Sequence, residues 1–356
     1  MTTVHKIENL EDKWIIHTWN KLNESAGSPH IHLTFEWISL WWKYFKKDRE
    51  LTLFAAVDDN RIVALAPLCT RKVGRGMSKF RILEFLGTGL SDRGDFLWEP
   101  CRKDALNDIL GHIHAQKDKW DRISLRGFPD WSGSALTLET EAKRLGWRLF
   151  SADREGSPYL KIDGDWEAYF KSRSKNLRND TRRRRNRLAD FGNPHIKLLN
   201  SPEEIVSVLD KVIKIGIQNP LKRHLFIHPA VKPFLVEMLT LFHDKDWLRF
   251  WIMESDGELM SYIMGFFYNK TFYYWNLGYD PQFISCSPGR LLLIDVLKNC
   301  FNEKILELDF MRGEEKYKQN WATGVRHNVK LEIYHSHWRS WLANFLSQGK
   351  RHLNSS

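Results

Sequence analysis

The fold is decided by residues 233–268, PFLVEMLTLFHDKDWLRFWIMESDGELMSYIMGFFY, in which an apolar helix pattern is followed by two strand patterns. The strand patterns, LRFWIM (248–253) and ELMSYIMGFFY (258–268), are separated by the turn residues Ser-Asp-Gly at 255–257. Two apolar runs joined by Asp-Gly predict a β-hairpin. With the helix before it, this segment is predicted to form one α/β unit.

The same order occurs earlier in the chain. FEWISLWWKYF (35–45) is followed by LTLFAAV (51–57), the turn residues Asp-Asp-Asn (58–60), and IVALAPL (62–68). The predicted helices of the two segments end at 45 and 242, which are 197 residues apart. The first predicted strands start at 51 and 248, with the same separation. Few residues are identical, but recurrence at a fixed spacing predicts duplication of one α/β unit.

The remaining apolar patterns predict mixed sheets covered by helices in both halves, an α/β (α+β) fold of tandem domains. We predict an N-terminal domain over 1–155, a C-terminal domain over 156–340 and a tail over 341–356, with a turn-rich linker near SADREGSP (151–158). Further strands are predicted at 80–87, 122–127, 195–200, 271–279, 304–311 and 329–335, and further helices at 103–118, 135–145, 202–217 and 289–301.

Composition excludes a disordered chain and a small disulfide scaffold. The 356 residues are 42% hydrophobic and 13% aromatic, and the four cysteines lie far apart, without the paired spacing of zinc or redox sites. The N-terminus has no apolar signal region, and the uncharged run 259–269 is about half the length of a membrane-spanning helix. These observations predict a cytoplasmic protein without a metal.

Most of the net charge of +10 lies in one segment, because residues 171–187 contain nine basic residues and one acid. A helix is predicted over 166–188, with Arg178, Arg182 and Arg185 on one face. Such a face suits a polyanion, namely a pyrophosphate, an RNA backbone or an anionic membrane surface. The alternative is a solvated basic face that forms salt bridges to the other domain.

The segment after the strand pattern 271–279 predicts an anion site. Ser287 is a favourable N-cap, Pro288 suits the first helical position, and Gly289 lets a ligand approach the exposed N–H groups. Arg290 in the first turn opposes the helix dipole unless an anion lies nearby. The alternative is a well-capped helix without a ligand.

The next strand pattern ends as LELDFMRGEEKYKQNW (306–321) and brings charged residues to a strand end. Asp309 and Glu315 are candidate general bases, and Tyr317 and Lys318 follow in the same segment. The alternative is that Asp309 caps a turn and that Glu315 pairs with Lys318 on a short helix.

Four segments, DWEAYFKSRSKNLRNDTRRRRNRLADFG (165–192), YNKTFYYWNLGYDP (268–281), SPGRLLLIDVLKNC (287–300) and LDFMRGEEKYKQNWATG (308–324), carry a family resemblance. They resemble GNAT-type acyltransferases of the CelD-like, or BioF2-like, group, whose fold is similar to that of Fem-type peptidyltransferases. The resemblance implies two GNAT-like domains and an acyl-CoA whose pyrophosphate lies at Ser285–Arg290. It also implies a Gly-Glu-x-Tyr-Lys pattern, here Gly313, Glu314, Glu315, Tyr317 and Lys318.

Three functions are consistent with these patterns. The first is acyl transfer from acyl-CoA to an amine or hydroxyl of a sugar or amino acid, which the resemblance associates with exopolysaccharide, cellulose or envelope synthesis. The second is a Fem-type transferase that uses charged tRNA held by the basic helix. The third is a non-catalytic protein that docks on nucleic acid or an anionic membrane. In the first, Ser287, Pro288, Gly289 and Arg290, with Arg178, Arg182 and Arg185, are predicted to hold the donor, and Asp309, Glu315, Tyr317 and Lys318 to act in catalysis.

Overall fold

The structure is a computed structural model that describes residues 2–27, 29–74, 79–303 and 305–336. The predicted tail, 341–356, lies outside the described residues. Up to residue 155 the strands are β1 (Thr3–Ile7), β2 (Arg49–Leu51), β3 (Leu53–Asp58), β4 (Arg61–Ala66), β5 (Leu68–Val73), β6 (Phe80–Phe85), β7 (Leu97–Trp98), β8 (Arg122–Pro129) and the start of β9 (Arg148–Lys161). The helices are α1 (Lys13–Ser25), α2 (Phe35–Phe45), α3 (Lys103–Ala115) and α4 (Gly133–Arg144).

The second half follows the apolar patterns closely. Its helices are α5 (Trp166–Ser172), α6 (Lys175–Leu188), α7 (Pro202–Gln218), α8 (Arg223–Phe226), α9 (Val231–Asp244), α10 (Pro288–Asn302) and α11 (Lys316–Gln319). Its strands are β10 (His195–Leu198), β11 (Leu248–Ser255), β12 (Glu258–Tyr268), β13 (Thr271–Tyr279), β14 (Glu307–Asp309) and β15 (Gly324–Tyr334).

The described residues divide into two compact units, one formed by residues up to Glu155 and by 327–336, the other by Gly156–Arg326. The first break coincides with the boundary placed from the sequence. Residues 327–336 group with the first unit, although the sequence division assigned them to the second, because β15 pairs with β8. The segment 151–158 lies within β9, so the expectation of a turn-rich linker there was wrong, and strand pairing overrides local turn preference.

Each unit contains a hairpin of the predicted kind. In the first unit, β3 pairs antiparallel with β4 around Asp59 and Asn60, whose φ angles are 47° and 60°. In the second, β11 pairs antiparallel with β12 around Asp256 and Gly257, at 49° and 81°. Left-handed residues at both turn positions match the right-handed twist of the strands, which explains why Asp, Asn and Gly occur there.

The sheet of the second unit has the strand order β10-β11-β12-β13-β14-β9. Trp251 and Met253 of β11 belong to a buried cluster with the apolar side of α10. Phe266 of β12 packs against Phe242 of α9, with ring centroids 5.1 Å apart. In the first unit, a separate core gathers residues of β3, β4, β6 and β8 with α3 and α4.

The basic segment forms two helices instead of the single helix expected over 166–188. α5 ends at Ser172, and the Ser174 side chain accepts a hydrogen bond from the Leu177 N–H (3.2 Å), capping α6. Serine satisfies a free N–H at a helix start better than it continues a helix, which explains the break. The segment ends at Gly192, with φ of 79°.

Candidate functional site

The candidate site is built around the point at which two parallel strands of the second unit separate. β13 and β14 pair only at three positions, from Thr271 opposite Glu307 to Tyr273 opposite Asp309. β14 ends there, whereas β13 continues through Tyr274 to Tyr279. Among the described residues, β13 therefore has no partner strand on its β14 side over its last six residues.

A β-bulge marks the start of this free segment. Tyr274 and Trp275 of β13 together lie opposite the single residue Gly265 of β12. A Cβ at Gly265 would overlap the Phe272 ring and lie 2.8 Å from the Tyr273 carbonyl oxygen. Bulges re-aim side chains, and this one requires glycine on the neighbouring strand.

Two tyrosines lie close to each other in this region. Tyr274 is buried among apolar side chains of the second unit. It is close enough to Tyr317 of α11 for each hydroxyl to affect the ionisation of the other. Burial is the main reason that the pKa of each tyrosine lies well above its ordinary value, so both hydroxyls keep their protons at neutral pH. Tyr274 was not among the predicted site residues, and the only sequence signal was a hydroxyl within the buried strand.

The start of α10 lies beside the end of β13. Pro288 and Gly289 are buried, and a Cβ at Gly289 would lie 3.2 Å from Leu277. The expectation that the Ser287 side chain caps the helix was wrong, because Ser287 is left-handed, with φ of 51°, and its hydroxyl makes no capping bond. That hydroxyl instead accepts a hydrogen bond from Arg184 of α6 and contacts the Ile284 carbonyl oxygen. The first N–H groups of α10 therefore have no side-chain cap from Ser287.

Arg290 has a carboxylate neighbour. Its guanidinium is 3.9 Å from the Asp180 carboxylate of α6, which also accepts a hydrogen bond from Arg184 (2.6 Å). These arginines, with Arg184 as the largest contributor, hold the pKa of Asp180 below its ordinary value. Sequence reasoning missed Arg184 and Asp180 because their contact with the Ser287 loop depends on how the two helices pack.

The predicted catalytic segment after β14 is a loop held by its own side chains. Asp309 is buried and accepts a hydrogen bond from the Met311 N–H (2.7 Å). Lys318 is buried and donates to the carbonyl oxygens of Arg312 (2.8 Å) and Gly313 (3.3 Å). It also pairs with Glu315 (2.9 Å). These are the contacts expected if Asp309 caps a turn and Glu315 pairs with Lys318.

Residues 175–319 match the family model described as "Acetyltransferase (GNAT) domain". This range includes the separating strands, the start of α10 and the Tyr317 loop. The chain therefore contains a GNAT-type acetyltransferase domain. No curated protein is similar enough to the chain to count as a match.

Solved structures resemble the chain over nearly its whole length. It is similar to FemX, with a TM-score of 0.63 at 13% identity over 93% of this chain and 97% of FemX. It is similar to L-PGS from Bacillus licheniformis, with a TM-score of 0.54 at 13% identity over 96% of this chain and 97% of L-PGS. It is also similar to a tandem GNAT protein from the clavulanic acid biosynthesis pathway, with a TM-score of 0.52 at 12% identity over 93% of this chain and 98% of that protein. At these identities the likeness establishes the fold, a mixed α/β fold of the tandem GNAT type.

One further lysine of the GNAT domain reaches the free segment of β13. Lys222, between α7 and α8, donates to the Asn276 side-chain oxygen (2.9 Å) and to the Leu277 carbonyl oxygen (2.8 Å). That carbonyl belongs to the part of β13 without a β14 partner. Lys222 carries no signal in the sequence, because only the tertiary structure brings its loop to the strand.

The predicted basic face lines a cleft of the GNAT domain. The cleft has a volume of about 510 Å³ and lies between α5, α6 and α10; we call it the basic cleft. It is lined by Trp166, Phe170, Lys175, Arg178, Asn179, Thr181, Arg182, Arg185, Asn186 and Ile294. Arg178, Arg182 and Arg185 therefore share one face, whereas Arg184 and Asp180 contact the Ser287 loop. The structure thus divides the residues predicted to hold the donor between two places.

No group of three or more His, Cys, Asp or Glu side chains is arranged to hold a metal ion in the part of the chain that the structure describes. Nor does any helix in the described ranges have the length and apolar character needed to cross a membrane.

Proposed function

We propose that the GNAT domain transfers an acyl group from acyl-CoA to an amine or hydroxyl acceptor. The observation that carries the proposal is the separation of β13 from β14 beside the start of α10. It offers an extended donor a strand edge for its amide groups and offers a pyrophosphate the positive end of the α10 dipole.

The residues at the start of α10 fit such a donor. A side chain at Gly289 would narrow the approach between α10 and Leu277, and Ser287 leaves the helix N–H groups without a side-chain cap. Arg290 is 56% exposed and Arg184 is at the Ser287 hydroxyl, so two guanidinium groups flank the position of a pyrophosphate. We propose that Ser287, Pro288, Gly289 and Arg290 hold the donor with Arg184.

Acyl-CoA supplies a thioester carbonyl carbon, which the acceptor nitrogen or oxygen attacks. The new C–N or C–O bond replaces the C–S bond, the thiolate leaves, and the proton lost by the acceptor balances the proton that the thiolate takes up. We assign Tyr317, whose hydroxyl is protonated at neutral pH, the role of giving a proton to the leaving sulfur. Asp309 and Lys318 shape the loop that carries Tyr317, and we assign them positioning roles. Glu315 is 55% exposed and lies on the same loop, which makes it the candidate base for the acceptor proton.

The donor assignment is tested by calorimetric titration of acetyl-CoA into the full chain. We expect saturable binding that falls roughly tenfold to a hundredfold in Arg290→Glu, in line with the loss of charge-assisted hydrogen bonds. Lys103→Glu is the matched control, because Lys103 is exposed on α3 of the first unit, outside the GNAT domain. A folded wild-type protein that binds no acetyl-CoA would contradict the proposal.

Transfer from charged tRNA is the second candidate, since α6 carries a marked excess of positive charge. It predicts that RNA binds and that acetyl-CoA does not. RNA affinity would then fall as the salt concentration rises. The logarithm of the binding constant, plotted against the logarithm of salt concentration, would have a slope of about −0.7 per contacted phosphate on a single strand.

A further inference from the structure

The basic cleft contains cations that the protein itself leaves without acidic partners. Arg182 and Lys175 form no ion pair with any residue in the described ranges. Arg178 donates to the carbonyl oxygens of Lys171 and Arg173, so its charge is held in place but not neutralised. Arg185 is 3.8 Å from Asp295, which makes it the only cleft cation with a described carboxylate neighbour. Like charges gathered on one face repel one another, and a bound anion relieves that repulsion.

The basic cleft is distinct from the candidate donor site at Ser287. An α-helix turns about 100° per residue, so Arg182 and Arg184 point roughly 200° apart around α6. Arg184 and Asp180 contact the Ser287 and Arg290 side, whereas Arg178, Arg182 and Arg185 line the cleft. The same helix therefore presents separate groups of charges to the two places.

We propose that the basic cleft binds a small phosphorylated molecule of the nucleotide type, with two or more phosphate charges and an apolar or aromatic part. Three guanidinium groups at i, i+4 and i+7 suit several phosphate oxygens, since each can donate in a bidentate manner. Phe170 and Ile294 supply an apolar wall for a base or sugar. The volume of about 510 Å³ lies within the range of small-molecule sites. This binding site goes beyond the proposed acyl transfer and does not depend on it.

The aromatic residues of the cleft favour a small ligand over single-stranded RNA. RNA-binding surfaces present open ring faces on which successive bases stack. Here the Phe170 ring stacks on Trp166 (5.3 Å between centroids) and on Trp321 (6.2 Å). Trp166 is only 8% exposed. The rings thus form a supporting wall instead of a stacking platform for a strand.

The test is a calorimetric titration of ADP into the full chain, alone and with acetyl-CoA at saturating concentration. Arg182→Gln removes a cleft cation that has no described partner, so the variant is expected to fold. We expect it to weaken ADP binding by roughly tenfold to a hundredfold. Arg187→Gln, on the opposite side of α6, is the matched control and should leave ADP affinity unchanged. Binding that persists in the presence of acetyl-CoA supports a separate site.

Three outcomes would overturn the proposal. Equal ADP affinity in Arg182→Gln and wild type would show that the cleft does not hold the phosphates. Mutual exclusion of ADP and acetyl-CoA, with both weakened by Arg182→Gln, would make the cleft part of the donor site. Binding of a single-stranded RNA of about 12 nucleotides, but not of ADP, would make it an RNA surface. If acetyl-CoA fails to bind but ADP binding still depends on Arg182, only the proposed acyl transfer fails.

Discussion

Asp95 is a buried carboxyl group of the first unit whose ionisation opposes folding. Burial is the largest influence and raises its pKa to about 6, although the Phe96 N–H and the Ser134 hydroxyl donate to it and act in the opposite direction. In the unfolded chain the group ionises near its ordinary value, about 3.9. As pH rises from about 4 to about 6, the unfolded state loses this proton before the folded state does, so stability falls and then levels off.

Asp95→Asn should remove this dependence. We expect the free energy of unfolding of wild type, relative to the variant, to fall by up to about 3 kcal/mol between pH 4 and pH 7. Chemical denaturation at several pH values measures it, with the surface variant Asp118→Asn as a control that keeps the wild-type pH dependence. A constant difference between wild type and Asp95→Asn would show that Asp95 does not titrate in this range.

Tyr317 is the residue at which the proposed chemistry is most directly tested. If its proton goes to the leaving thiol, Tyr317→Phe should lower kcat by about a hundredfold to ten-thousandfold and leave the dissociation constant of acetyl-CoA nearly unchanged. Tyr169→Phe is the control. Burial also raises the pKa of Tyr169, but the Tyr169 hydroxyl donates a hydrogen bond to the Trp321 carbonyl oxygen. Loss of stability without loss of kcat in Tyr317→Phe would assign Tyr317 a packing role only.

At the scale of elements, the bulge of β13 depends on Gly265 of β12. A Cβ there would meet the Tyr273 carbonyl oxygen at 2.8 Å, and backbone cannot move aside as a flexible side chain can. Gly265→Ala should therefore cost about 2 kcal/mol of stability, the middle of the range for an overpacked site. Denaturant titration measures it.

The control for Gly265→Ala is the same substitution on a helix. A Cβ at Gly111 of α3 would meet only a side-chain nitrogen of Arg144, 4.0 Å away. Gly111→Ala should thus leave stability unchanged or raise it by up to about 1 kcal/mol. Similar destabilisation by the two variants would mean that the bulge has no special need for glycine.

The helix starts show how far element prediction extends. Pro288 and the apolar residues after it located the start of α10 within one residue. Whether Ser287 caps that helix depended on Arg184, which lies 103 positions earlier and takes the serine hydroxyl. The break between α5 and α6 has a local cause, the Ser174 cap, that the unbroken charge pattern concealed.

At the scale of the whole molecule, the spacing of 197 residues recurs in the two hairpin turns of the structure. Asp59 and Asp256, 197 positions apart, adopt the same left-handed conformation in their hairpin turns, as do Asn60 and Gly257. The similarity in fold to a tandem GNAT protein agrees with two related units. We propose that the first unit is itself GNAT-like and that the match to the family model covers the catalytic half.

The sequence by itself determined most helices and strands of the second unit, the two hairpins and the common face of Arg178, Arg182 and Arg185. These follow from periodicity, turn residues and helical spacing, which act between neighbours in the chain. Only the tertiary structure decided that Tyr274 is buried beside Tyr317, that Lys222 reaches Leu277, and that Arg184 meets Ser287. Such contacts join residues that are 55 or 103 positions apart, so they depend on how elements pack and leave no local pattern.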